Sequence, residues 1–237
     1  MQIKTKAIVF STLKYQEKSL IVKCFTLSNG IVSYFVPNAF SAKKHLQKIA
    51  YFQPLNILEI DVNHKNKGGL EYFKEIKLSY NYNTISTNIY KSTIAIFLSE
   101  ILNNIIKEEE KNENFFIYLE AALMWLDQHD KISNFHLILL LDITKFLGFY
   151  PDTSSSSNNY FEMTEGGFIT NESVSCLTKQ ESELFKRLIN LKFDSITKAF
   201  SQQERQQLLT IILNYYSIHL EGFKTPKSLE VLKEVFS

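Results

Sequence analysis

With 237 residues, 45% hydrophobic and 22% charged, the chain has a globular composition that excludes collagen-like, disordered and disulfide-scaffold classes. A chain of this size buries roughly 70% of its unfolded surface, so a core needs no metal or crosslink; the two cysteines, Cys24 and Cys176, lie far apart and form no C-x-x-C pair. The net charge of +1 conceals a division near Tyr80: residues 1–80 carry 12 lysines against five carboxylates, and residues 81–237 carry 14 lysines and arginines against 20 carboxylates.

The first 80 residues alternate apolar and polar positions at period two and are punctuated by turn residues. Strands are predicted over 4–12, 19–26, 31–36, 55–62 and 70–78. Ser28-Asn29-Gly30 supplies a hairpin turn, because glycine takes a positive φ without strain. Five strands in this length predict a small closed or nearly closed barrel. From Ser86 apolar residues recur every three or four positions, with no proline between Pro54 and Pro151. Helices are predicted over 86–110, 113–129, 133–147, 179–190 and 202–220, the third ended by Gly148 and Pro151. A short last helix, capped by Thr225 and entered at Pro226, runs through Phe236. Residues 152–176 form an irregular insertion with a small hairpin around 160–169. The expected class is therefore α+β, with one domain over 1–80 and a mainly helical domain over 81–237.

Membrane insertion is not expected. The densest apolar run, 137–141, is flanked by His136 and Asp142, far short of the ~18–20 residues a span needs. The apolar segment 7–10 is too short for a signal-peptide core, so the expected compartment is the cytoplasm. Catalytic motifs are missing as well. Neither Gly68-Gly69 nor Gly166-Gly167 leads into a Lys-Ser/Thr pair, and no G-x-S-x-G or H-E-x-x-H occurs. His45, His64, His129, His136 and His219 contain no pair at ligand spacing, and Glu108-Glu109-Glu110 reads as a solvated helix face. The chain is expected to be no enzyme and to hold no cofactor or metal.

What remains is binding. A basic block beside an acidic one points to an N-terminal part that meets a polyanion, and a lysine-rich barrel with aromatic residues on its strands has the chemistry that holds single-stranded nucleic acid. Ammonium groups neutralise phosphates and release counterions, while exposed rings stack on bases. Candidate DNA-binding lysines are Lys4, Lys6, Lys14, Lys18, Lys23, Lys43, Lys44 and Lys48, with Lys65 and Lys67 beside them. Candidate rings are Tyr34 and Phe40, with Tyr15, Phe35 and Tyr72; about half of the strand rings must face the interior. Lys43 and Lys44, in a predicted loop, are the most available pair.

Several runs, in order along the chain, resemble the bacterial RecO family of recombination mediators. At the front these are Ala7-Ile8-Val9, Tyr15-x-Glu17-Lys18-Ser19-Leu20 and Phe25-Thr26-x-x-x-Gly30-x-Val32. Then come Val36-Pro37-Asn38-Ala39-Phe40-Ser41-Ala42-Lys43-Lys44 and Phe52-Gln53-Pro54-Leu55. Further on are Phe97-Leu98-Ser99-Glu100-Ile101-Leu102, Phe146-Leu147-Gly148-Phe149 and the tail from Leu220 to Phe236. The resemblance implies an N-terminal OB-fold, a helical domain and no catalytic centre. It implies binding to single- and double-stranded DNA, annealing of complementary strands, and loading of RecA with RecR, and often RecF. The partner set includes the acidic C-terminal tail of the single-stranded DNA-binding protein. Two departures stand out. The family's Lys-Gly-x-Arg turn is here Pro37-Asn38-Ala39-Phe40, and where many members carry four zinc-binding cysteines the insertion 152–176 has only Cys176, so zinc is not expected. A protein adaptor with little DNA binding of its own and an OB-fold RNA-binding factor are the alternative functions.

Overall fold

The computed structural model describes residues 2–40, 49–63, 69–107, 111–195 and 199–236. Lys43, Lys44, Lys48, Lys65, Lys67, His45, His64 and Glu108 to Glu110 lie outside the described residues. The chain forms two compact units, Met1–Gln128 with Pro226–Val235, and His129–Thr225 with Phe236–Ser237.

The first unit contains five strands, β1 (Gln2–Tyr15), β2 (Ser19–Thr26), β3 (Gly30–Val36), β4 (Ile57–Asn63) and β5 (Glu71–Leu78). They close in the order β1-β2-β3-β5-β4, the topology of an OB-fold. Closure depends on β1, longer than the periodicity predicts. Its first half pairs with β4 over 2–8, its second half pairs with β2 over 7–15, and a bulge between Val9 and Ser11 bends it from one partner to the other. The β2–β3 turn ends on Gly30 at φ 64, and Thr26 Oγ1 accepts from the Asn29 N–H at 3.0 Å. A parallel contact of two residue pairs, Tyr34 with Glu71 and Phe35 with Tyr72, joins β3 to β5.

Alternation sends Ala7, Val9, Leu20, Val22, Cys24, Tyr34, Leu58, Ile60 and Val62 into the barrel. Each large apolar side chain removed from water there contributes roughly 1.5–3 kcal/mol. The outward residues Phe10 and Phe25 are buried too, because α1 (Ile89–Ile105) and α2 (Glu113–Gln128) belong to the same unit and Phe25 packs on Phe115 and Phe116 at 5.4 and 5.7 Å. One outer side of the barrel is thus covered.

α1 starts three residues later than its periodicity predicts. The Asp127 carboxylate accepts from the backbone N–H groups of Asn83, Thr84 and Ile85 at 2.8–3.1 Å, fixing this stretch as a turn, and Asn88 then caps the helix. Burial works to raise the Asp127 pKa, but these donors hold it below the usual carboxylate range. The fully buried Lys91 closes the cluster through Thr84 Oγ1 at 2.7 Å and the Asp127 carbonyl at 2.9 Å.

The second unit holds α3 (Phe135–Leu147), β6 (Tyr160–Glu162), β7 (Gly167–Ile169), α4 (Lys179–Ile189) and α5 (Gln202–His219). α3 ends on Gly148 at φ 83, and α4 and α5 each begin with a capping box, Thr178 with Glu181 and Ser201 with Glu204. The predicted hairpin of the insertion is β6–β7. Its Phe161 packs on Phe168, Phe185 and Tyr215, while Tyr215 donates to the Phe149 carbonyl at 2.9 Å. The last helix, α6 (Leu229–Val235), corrects the sequence reading: it starts at Leu229, not Pro226. Its cap comes from across the first unit. Glu100 of α1 accepts from the Lys227 and Ser228 N–H groups at 2.8 and 2.9 Å, a role that the local sequence assigned to Thr225. No described helix is long and apolar enough to cross a membrane.

Candidate nucleic-acid interface

The side of the barrel that α1 and α2 leave open presents a row of outward residues. Leu13 of β1 faces Ile21 of β2, Ile21 faces Phe35 of β3, and Phe35 faces Tyr72 of β5. Outward position follows from alternation, since Leu20 and Val22 on either side of Ile21 are core residues. Tyr15 meets the edge of Phe35 at 6.0 Å, and Phe35 meets Tyr72 at 5.7 Å in the same edge-on manner. Leu13 is 64% exposed, Tyr72 48% and Tyr15 42%. Four strands therefore carry one continuous apolar and aromatic band open to solvent, a surface on which planar rings can stack.

Lysines edge one end of the band. The turn at residues 16–18 raises Lys18, whose carbonyl accepts from the Phe40 N–H at 3.3 Å, and the Lys14 ammonium lies 5.7 Å from the centre of the Phe40 ring. Phe40 is 39% exposed. Lys14, Lys18 and Phe40 are thus brought together beside Tyr15. Lys4 is exposed on β1, opposite Asp61 of β4, away from that cluster.

The other sequence candidates are placed differently. Tyr34 requires a correction: its ring is 0% exposed, stacked on Phe73 at 4.2 Å inside the barrel, so no base reaches it in the folded state. Its neighbour Phe35 takes the outward position. Lys6 points to the covered side, where its ammonium pairs with Glu120 of α2 at 2.8 Å. Lys23 donates to the Asn103 carbonyl near the end of α1 at 3.2 Å; burial first, and Lys107 second, lower its pKa. These two lysines tie the sheet to its helices. The positive track on the described surface is accordingly shorter than the lysine count suggests, and the ring band is more continuous than periodicity alone could reveal. Leu13 and Ile21 carry no signal of exposure in the sequence, because apolar strand residues ordinarily mark the core.

The family described as Recombination protein O N terminal matches residues 1–82, and the family described as Recombination protein O C terminal matches residues 86–229. The chain is 65% identical over 238 residues to the DNA repair protein RecO of Flavobacterium psychrophilum and 63% identical over 237 residues to that of Flavobacterium johnsoniae. In both cases 100% of each chain is covered. To the DNA repair protein RecO of Christiangramia forsetii it is 41% identical, again over 100% of both.

Proposed function

The chain belongs to the RecO family of DNA repair proteins, and from that premise we propose that it is a non-catalytic mediator of recombinational repair whose barrel holds single-stranded DNA. The observation that carries this reading is the band Leu13–Ile21–Phe35–Tyr72 with Tyr15 and Phe40 beside it, on the side of the barrel left open by its helices. Bases stack on the rings, contributing about 1–3 kcal/mol each, while Lys14 and Lys18, with Lys43, Lys44 and Lys48 from the sequence reading, neutralise phosphates. Stacking engages the faces of bases and leaves their pairing edges free. A strand held this way remains open to a complementary strand, the physical requirement for annealing. Binding of double-stranded DNA, work with RecR and often RecF in loading RecA, and docking of the single-stranded DNA-binding protein's acidic tail complete the proposal in the cytoplasm; the support for these partners is family membership.

The test is binding of a labelled single strand. Affinity should fall steeply between ~50 and ~200 mM salt, and Lys14→Glu with Lys18→Glu should lower it further and flatten the salt slope by about one unit or more. Unchanged affinity in both arms overturns the DNA contact. A second reading, a protein adaptor that leaves DNA to its partners, is favoured by the engagement of Lys6 with Glu120 and of Lys23 with Asn103. Annealing of two complementary strands by the purified protein alone decides for the mediator, and competition by RNA at equal ionic strength tests the RNA-binding alternative.

A further inference from the structure

Beyond the ring band a groove of about 640 Å³ runs over the outer side of β5 towards β4 and β1. It begins where β3 and β5 part, since two residue pairs join those strands, and a register shift opposite Asp61 and Val62 places Lys74 out of step in its wall. Phe35 and Tyr72 form one end. Lys4, Lys74 and Lys77 line it together with Glu59, Asp61 and Glu75, and Lys77 already pairs with Glu59 at 3.1 Å. Charges so balanced favour neither a phosphate nor a free cation. They suit the neutral part of a nucleotide.

Asp61 supplies the selectivity. It is 6% exposed, and its Oδ2 accepts from Gln2 Nε2 at 2.7 Å, whereas its Oδ1 is closed to solvent with no hydrogen-bond partner among the described residues. An unpaired buried carboxylate oxygen is costly, and a ligand that brings an N–H donor recovers that cost. Entry of such a donor requires the side chain of Lys4, which is exposed and stands opposite Asp61 on the paired strand, to swing aside while Gln2 keeps its bond to Oδ2. Resting on the reading that the barrel holds single-stranded DNA, we infer that this groove takes one unstacked nucleobase bearing an exocyclic amino group. The base lies against Tyr72 and donates its amino hydrogen to Asp61 Oδ1. At the position of the amino group a thymine or uracil presents its O4 carbonyl, which cannot donate and is repelled by the carboxylate, so its N3–H reaches Asp61 only if the base shifts.

The experiment uses the full chain and fluorescence anisotropy with an oligothymidylate of about 15 nucleotides, near the upper span of one OB-fold. Its central nucleotide is replaced by deoxycytidine or by deoxyuridine; the uridine arm removes the methyl group and keeps the carbonyl. The cytidine strand should bind roughly tenfold tighter than the uridine strand, the value of one charge-assisted hydrogen bond. In Asp61→Asn the amide oxygen keeps the bond from Gln2 and the amide nitrogen takes the place of Oδ1, so the preference for cytidine over uridine should vanish or invert. A thermal melt confirms that this isosteric variant is folded. Equal binding of cytidine and uridine strands, with steep salt dependence, overturns the groove and leaves the DNA reading standing. A preference that survives Asp61→Asn overturns the role of Asp61, and failure to bind any strand overturns the reading beneath both.

Discussion

In the barrel unit Tyr15, Phe40 and Tyr72 each keep more than a third of their surface in water, whereas in the helical unit Phe161, Phe185, Phe200, Tyr215 and Tyr216 are 1% exposed or less. The same side-chain chemistry serves opposite ends. A barrel strand has an inside and an outside at every second residue, and α1 and α2 cover only part of the outside, so rings are left on the remainder. In the helical unit the rings of β6, α4 and α5 converge on one another, and the polar tips of Tyr215 and Tyr216 are satisfied by the Phe149 and Leu140 carbonyls at 2.9 and 2.7 Å. Rings there hold the fold. Rings on the barrel's open side are available to a ligand.

The largest test of this contrast falls on the helical unit. Gly166 sits at φ 70 and a Cβ there would overlap the Tyr215 hydroxyl, which is pinned to Phe149. Gly166→Ala should therefore cost about 3 kcal/mol in urea unfolding of that unit, through backbone strain and overpacking together, with single-strand binding by the barrel retained. A loss below about 1 kcal/mol would mean that the aromatic core yields more readily than its packing implies.

Next in size, Tyr72→Ala should leave the unfolding midpoint nearly unchanged and weaken single-strand binding by about 2 kcal/mol, some thirtyfold. An unfolding transition shifted as far as that of Gly166→Ala would erase the distinction between the two sets of rings.

The smallest effect is one of pH. Burial, with a contribution from Arg205, pushes the His136 pKa down to about 3 from its usual 6.5. The unfolded chain therefore takes up the proton first as pH falls below about 6.5, and stability declines through the window from there to about 3. Between pH 7 and pH 5 the contribution is about 1–2 kcal/mol. It should appear in the helical unit's unfolding and disappear in His136→Phe, while a slope that persists in the variant would assign the acid sensitivity to other groups.

Much of the fold was legible in the chain. Period-two alternation located all five barrel strands, and Gly30 and Gly148 marked a turn and a helix end, because a strand or helix with one buried side writes its period into the order of apolar residues. Less of the interface could be read. Tyr34 and Phe35 are adjacent and chemically alike, and which of them faces out depends on register, settled by the parallel pairing of β3 with β5 across 37 positions of sequence. Nor does a lysine reveal its partner: Lys6 and Glu120 are 114 residues apart.

The amino-acid order by itself determined the class of architecture, the basic front and acidic remainder, and family resemblance, since composition and local period need no knowledge of distant contacts. Tertiary structure alone decided which lysines are spent on α1 and α2, which rings form the open band, why Glu100 caps a helix more than 120 residues away, and how Asp61 comes to hold in a groove an oxygen with no partner among the described residues. These are properties of pairs of residues brought together by chain closure. Burial and hydrogen-bond satisfaction act on such pairs wherever they lie in the sequence.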